Sequence, residues 1–187
     1  ESESTQDRAT VEGTYGSLII QADGQYTYSV NTSDEDFQKL GGGVTATDAF
    51  TYEATDGRDG DRATLRVKVT GVNDAPDAVN DTALLAKLDT GATGNVLSND
   101  TDIDTGDSIS ATGATLTGTY GTLTLSSNGN YSYALNRDGA NYMALNDGVT
   151  ATDTFTYTAK DGSGASDTAT LKVTVTGSNN PPKAEDD

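Results

Sequence analysis

The chain has 187 residues, with 29 Asp and Glu against 11 Lys and Arg, a formal charge of −18, and no His, Cys or Trp. Without His or Cys there is no His-based general base, no thiolate nucleophile and no zinc or iron site of ordinary type. The charge argues against nucleic acid and against direct contact with an anionic membrane, since both are bound through clustered Lys and Arg. Hydrophobic residues are only 33 %, yet 21 Gly, thirty-one Thr and nine Tyr are the stock of turns and strands, so a soluble, all-β chain is expected. No apolar run reaches membrane-spanning length and no signal peptide opens the chain, which reads as a segment of something longer.

In chain order, the first clear alternation is Leu18 and Ile20, a turn at Asp23-Gly24, and a return through Tyr26, Tyr28 and Val30. That spacing predicts a hairpin with a two-residue turn, since Asp-Gly and Asn-Gly tolerate positive φ. Residues 33–41 lose the alternation, and Phe37 with Leu40 at i, i+3 predicts one helical turn over the core edge. A second hairpin pairs Phe50, Tyr52 and Ala54 with Leu65, Val67 and Val69. A connector over 73–77 follows, then a strand near 78–87, an acidic loop over 94–107 and a strand near 108–117. Leu123 and Leu125, the Asn128-Gly129 turn and Tyr131, Tyr133 and Leu135 make another hairpin; Tyr142 and Leu145 repeat the helical turn. Phe155, Tyr157 and Ala159 then face Leu171, Val173 and Val175 across a turn at Asp161-Gly162. The tyrosines at 26, 28, 131 and 133 are in core phase.

The chain repeats itself. Residues 14–57 and 119–162 share 21 of 44 positions without a gap, at an offset of 105; one inserted residue then shifts the offset to 106, so that Leu65-Arg66-Val67 meets Leu171-Lys172-Val173. The period is that of a small domain, about 100 residues. Hence 1–72 reads as an incomplete β-sandwich repeat lacking its opening strand and acidic loop, 73–77 as a connector, 78–177 as a complete repeat, and 178–187 as a connector and the start of a third. About seven short antiparallel strands per repeat predict tandem immunoglobulin-like or cadherin-like Greek-key β-sandwiches.

Of the 29 acids, 23 are Asp, the shorter side chain that suits tight oxygen-ligand loops around a hard cation. Residues 71–118 hold eight Asp and one base, Lys87. In Asn99-Asp100-Thr101-Asp102-Ile103-Asp104-Thr105-Gly106-Asp107, carboxylates at alternate positions precede a Gly turn. The run resembles the start of an EF-hand loop, but position 111 is Ala where that motif needs Glu, so a calcium loop of another type is expected. Following the strand directions, Asp100, Asp102, Asp104, Asp107 and Asp153 are expected at the closing end of the complete repeat. Asp48, Asn73, Asp74, Asp77 and Asp161 are expected at its opening end. Such rings of carboxylate call for a divalent cation, and Ca2+ suits many flexible oxygen ligands better than magnesium does. Asp23, Asp34, Asp36, Asp138 and Asp147 read as a solvated acidic face.

Val72-Asn73-Asp74-Ala75-Pro76, Asp153-Thr154-Phe155-Thr156-Tyr157, Asp161-Gly162, Thr174-Val175-Thr176-Gly177 and Val96-Leu97-Ser98-Asn99-Asp100-Thr101-Asp102 together resemble the VCBS and bacterial cadherin-like repeats of giant RTX-type adhesins. The resemblance implies a secreted, type I exported protein of the bacterial cell surface, whose repeats are calcium-stiffened extenders spacing a distal binding module from the cell in adhesion and biofilm formation. Asn180 and Pro181 depart from it, standing where the first connector has Asp74 and Ala75. Neighbouring repeats of the same chain are then the partners, with cell-surface glycans or matrix reached through other domains. The alternative is a carbohydrate-binding module, but Trp is absent and the Tyr residues alternate in core phase. No enzyme is expected, because the acids lie in turns. A monomer is expected, with one exception: the unpaired sheet edge of the first repeat invites head-to-tail strand exchange, with 178–187 of another chain in the place of the missing strand.

Overall fold

A computed structural model describes residues 8–179; most of the expected third-repeat segment, 180–187, lies outside the described residues. The chain forms β1 (Arg8–Glu12), β2 (Gly16–Gln21), β3 (Tyr26–Val30), α1 (Glu35–Gln38), β4 (Thr45–Thr55) and β5 (Gly60–Thr70). It continues through β6 (Asp81–Leu84), β7 (Gly91–Asn95), β8 (Ser110–Ala111), β9 (Ala114–Thr117), β10 (Gly121–Leu125), β11 (Asn130–Leu135), α2 (Ala140–Met143), β12 (Thr150–Lys160) and β13 (Ser166–Thr176). The sequence repeat is a structural repeat. Helix α2 and strand β12 have the bounds of α1 and β4 moved by 105, and β13 has those of β5 moved by 106.

Two compact units form. The first runs to Asp74 and takes in Ile103–Gly106; the second holds Ala75–Asp102 and the chain from Asp107 onward. The second unit is a sandwich of two four-stranded sheets, ordered β7-β11-β10-β9 and β6-β13-β12-β8. Alternation in β12 and β13 turns Phe155, Tyr157, Leu171 and Val173 inward, Leu123 and Tyr133 meet them from the facing sheet, and Leu85 and Val96 complete one buried cluster. Each such aliphatic side chain removed from water contributes about 1.5–3 kcal/mol.

Four details differ from the sequence reading. First, β7 was not foreseen: Gly91-Ala92-Thr93-Gly94-Asn95 has no apolar alternation, and its glycines serve close approach, since a Cβ on Gly94 would lie 2.8 Å from the Tyr131 ring. Second, β6 pairs with β13 in parallel, Asp81 opposite Leu171 and Leu84 opposite Thr174, so the sandwich is not wholly antiparallel. Third, the strand expected near 108–117 is split into β8 and β9, which belong to different sheets. Fourth, the loops of the β10–β11 and β2–β3 hairpins have three residues rather than two. Ser126 N–H donates to Asn130 O, Gly129 N–H donates to Ser126 O, and only Gly129 has positive φ, +81°. Gln21, Gln25 and Gly24 repeat this arrangement. A type I turn closed by a left-handed glycine needs one positive φ where the two-residue turn needs two.

The first unit repeats β9 to β13 as a three-stranded sheet, β1-β2-β3, and the two-stranded β4-β5. Among the described residues it has no counterpart of β6, β7 or β8. Leu18, Phe37, Phe50 and Val69 are buried, but Tyr52 is 40 % exposed where its counterpart Tyr157 is 4 %. Tyr26, expected in the core, is 54 % exposed.

Candidate metal centre

Asp153, in the middle of β12, is 3 % exposed. It accepts from Thr119 N at 2.7 Å, from Tyr120 N at 3.0 Å and from the Tyr133 hydroxyl at 2.7 Å. Asp48 repeats the arrangement with Thr14 N, Tyr15 N and the Tyr28 hydroxyl. Burial, and then the adjacent carboxylate, push the Tyr133 and Tyr28 hydroxyls well above the ordinary tyrosine range. Gly118 and Gly13 make room: a Cβ on either would strike the aspartate. Both carboxylates thus pin the turn before β10 or β2 to the opposite sheet, a packing role inside the sandwich.

Asp100 is also engaged within the second unit. Its Oδ1 accepts from Val79 N at 2.8 Å and from the Tyr157 hydroxyl at 3.0 Å. The same hydroxyl lies 3.0 Å from Val79 O and 2.9 Å from Val96 O, so one proton is shared among several acceptors. Asp81 also interacts with this hydroxyl; burial and then, against the hydroxyl's lowering effect, the Asp100 charge raise its carboxyl above the usual range.

The acids that meet are Asp102, Asp107 and Asp161. One oxygen from each lies within 4.8 Å of the others, with Asp161 buried and the other two half-buried. Asp161 opens the β12–β13 turn, where its backbone N–H donates to Ala165 O and its carboxylate accepts from Gly164 N. Asp107 Oδ1 accepts from Ser108 N at 2.8 Å and from Gly162 N at 3.1 Å, which ties the acidic loop to that turn. Backbone donors therefore fix the Asp107 and Asp161 carboxylates. Charges about 4 Å apart repel by about 1 kcal/mol in water and about 4 at an effective dielectric of 20, so this all-oxygen group of three can serve as a donor set for a hard divalent cation.

Of the remaining candidates, Asp77 forms a backbone bridge with Thr101, its N–H donating to Thr101 O at 2.8 Å, and its side chain is exposed. In the first unit, Asp104 is 4 % exposed and its Oδ2 accepts from Asp74 N at 2.9 Å, while Asn73 Nδ2 donates to Asp74 O at 2.7 Å.

The grouping of acids by end is corrected. Asp161 was expected with Asp48, Asn73, Asp74 and Asp77; it stands with Asp102 and Asp107. Asp153 was expected with Asp100, Asp102, Asp104 and Asp107; it is instead held by Thr119, Tyr120 and Tyr133. The cause is β7. Its return along β11 adds one reversal of chain direction, which brings the loop after it to the end where Ala78 N meets Asp167 and Asp77 meets Thr101. All three clustered residues were candidates from the sequence; their association was not.

An all-β sandwich with aspartates gathered at the turns of one end has cadherin-like architecture. Residues 73–177 match the family described as bacterial cadherin-like domain, and the chain belongs to that family. Among solved structures, PcdhgB3 EC1-4 is similar at 15 % identity and TM-score 0.48, over 90 % of this chain and 41 % of that one. Mouse cadherin-23 EC22-24 is similar at 16 % identity and TM-score 0.46, over 90 % and 53 %. Mouse clustered PcdhgC3 EC1-3 is similar at 18 % identity and TM-score 0.46, over 93 % and 56 %. The chain therefore spans less than two thirds of each of these relatives. Among curated proteins, none matches this sequence. No helix among the described residues is long and apolar enough to cross a membrane.

Proposed function

We propose that this chain consists of calcium-binding extender repeats of a bacterial surface adhesin, exported to the cell exterior, where tandem sandwiches space a distal binding module from the cell. The observation that carries the reading is the convergence of Asp102, Asp107 and Asp161 to within 4.8 Å in a chain of charge −18. These three would hold Ca2+, with backbone carbonyls and water completing the six to eight oxygens the ion takes. Asp74, Asp77, Asn73, Asp100 and Asp104 lie in the same connector and acidic loop and are further candidates; Asp48 and Asp153 serve packing. A bound ion would relieve repulsion that the fold otherwise carries, so calcium would stiffen the array. With extracellular modules binding at about 10⁻⁴–10⁻³ M, occupancy would be high outside a cell and negligible inside it, which lets the chain leave unfolded and become rigid on arrival.

The test is calcium titration by calorimetry, with melting in calcium and in EDTA. Saturable binding and a lower melting temperature in EDTA are expected. A melting temperature unmoved by EDTA would remove the calcium reading. Small-angle scattering that shows the same distribution of shapes with and without calcium would remove the stiffening.

A further inference from the structure

Three glycines in a row, Gly41-Gly42-Gly43, follow α1, and the matching positions of the second repeat are Asn146, Asp147 and Gly148. The turn is the same in both places. Val44 N donates to Gly41 O at 2.9 Å, and Val149 N donates to Asn146 O at 3.0 Å. Gly43 N donates to Gly71 O and Gly148 N to Gly177 O, while Gly71 N donates to Val44 O and Gly177 N to Val149 O. Backbone conformation accounts for only one of the three glycines. Gly43 has φ +79° and Gly148 has φ +78°, in the left-handed region that favours glycine, whereas Gly41 and Gly42 are not at positive φ. Asn and Asp make this turn as well as Gly does, so the bare backbone at 41 and 42 answers to something else.

That something is a loop and a connector. A Cβ on Gly41 would stand 3.6 Å from Cβ and Cγ of Asp104, so the further atoms of an Asn would meet a carboxylate that is itself buried. A Cβ on Gly42 would stand 3.0 Å from Asn73 Cβ and 3.3 Å from its N. Asp104 belongs to Ile103–Gly106, the piece of the acidic loop that is part of the first unit. Two backbone donors seat that piece: Thr105 N donates to Lys39 O at 3.0 Å, just past α1, and Asp74 N donates to Asp104 Oδ2 at 2.9 Å. The loop therefore lies where the second repeat carries side chains.

We propose that Gly41 and Gly42 are specificity-determining residues. They form a seat that admits an acidic loop of the pattern Ile103-Asp104-Thr105-Gly106, and Asn146 and Asp147 close the equivalent seat of the second repeat to such a loop. Size and charge act together there. Asn146 takes the space of the incoming aspartate, and Asp147, whose carboxylate is held by Lys87 Nζ at 2.9 Å, adds a like charge. The two repeats are thus not interchangeable in what they accept. The inference depends neither on calcium nor on the opening of the first repeat, since every residue in it lies within 39–74, 87 and 103–148.

Amide hydrogen exchange on the full chain in EDTA is the test, read at Thr105 and Asp74 against the amides of β4 and β5. Both reporters should be protected in the native chain. Gly41→Asn with Gly42→Asp, which copies the second repeat, should speed exchange at both reporters about tenfold or more and leave β4 and β5 within about twofold. Gly41→Ala, whose Cβ meets Asp104 at ordinary contact distance, should leave all of them within about threefold. In a chain carrying Asp104→Ala, adding Gly41→Asn should change Thr105 much less than it does with Asp104 present, because the two share one space. The proposal is overturned by an unprotected Thr105 in the native chain, or by reporters that keep their protection in the paired variant. It is overturned equally by losses of the same size throughout β4 and β5, which would mean that the glycines serve the folding of the first unit itself. Full additivity of Gly41→Asn and Asp104→Ala would also overturn it.

Discussion

Tyr133 gives its hydroxyl proton to Oδ2 of Asp153 at 2.7 Å, and Tyr28 does the same to Asp48 at the same distance. The surrounding geometry is repeated too: Tyr133 meets Phe155, and Tyr28 meets Phe50, with ring centroids 6.0 Å apart in both units. Removing Asp153 strands two backbone donors and a hydroxyl in a buried place, each costing about 1–3 kcal/mol when unsatisfied. Asp153→Ala should therefore cost the second unit about 3–5 kcal/mol, and Tyr133→Phe, which leaves the backbone donors satisfied, about 1–2 kcal/mol. Local stability from native-state hydrogen exchange measures both; equal losses in the two variants would contradict the assigned roles.

The same tyrosines set the response to alkali. Burial raises the hydroxyls of Tyr28, Tyr133 and Tyr157 far above their ordinary value, while in the unfolded chain they ionise near pH 10. Above that pH the unfolded state releases protons that the native state keeps, so stability falls as pH rises. Stability measured from pH 9 to 11.5 should decline, and Tyr133→Phe should make the decline shallower. An unchanged slope in that variant would show that its hydroxyl is not protected.

Calcium affinity should follow the cluster and not the total charge. Asp107→Asn and Asp161→Asn each remove one of three convergent carboxylates and should weaken calcium about tenfold or more, because affinity in such sites is tuned by ligand charge. Asp23→Asn, which removes the same charge from an exposed turn, should leave affinity within about twofold. Equal weakening in all three variants would mean a diffuse counter-ion effect.

The two units should also tolerate truncation differently. Leu171 is fully buried, and Leu171→Ala should cost about 2–5 kcal/mol through lost burial and the cavity left behind. Leu65, at the matching position, is only half-buried, and Leu65→Ala should cost less than half as much. Site-resolved hydrogen exchange in β13 and β5 gives the comparison. Similar losses would mean that Leu65 is packed in solution as closely as Leu171.

Much of the fold was legible because period-two alternation needs no partner to be read. Leu123 with Leu125 and Phe155 with Tyr157 announce strands by themselves, and Phe37 and Tyr142 announce helical turns, since each side chain must find a core whatever the topology. Strand β7 was silent for the opposite reason. Its residues are chosen for what they do not occupy: Gly94 leaves room for Tyr131, and Gly91 leaves room for the backbone of β11. The parallel pairing of β6 was silent because alternation looks the same in either direction.

The sequence by itself determined that one β-rich pattern recurs at an offset of 105, where the hairpins fall, and that aspartate concentrates in the stretch around Asp100. Local spacing and composition suffice for those. Only the tertiary structure decided which aspartates meet. One unrecognised strand reverses the chain once more, and that reversal brings Asp102 and Asp107 to Asp161 while leaving Asp153 to a tyrosine. Proximity between residues more than fifty positions apart depends on the number of reversals between them, and no local pattern counts those.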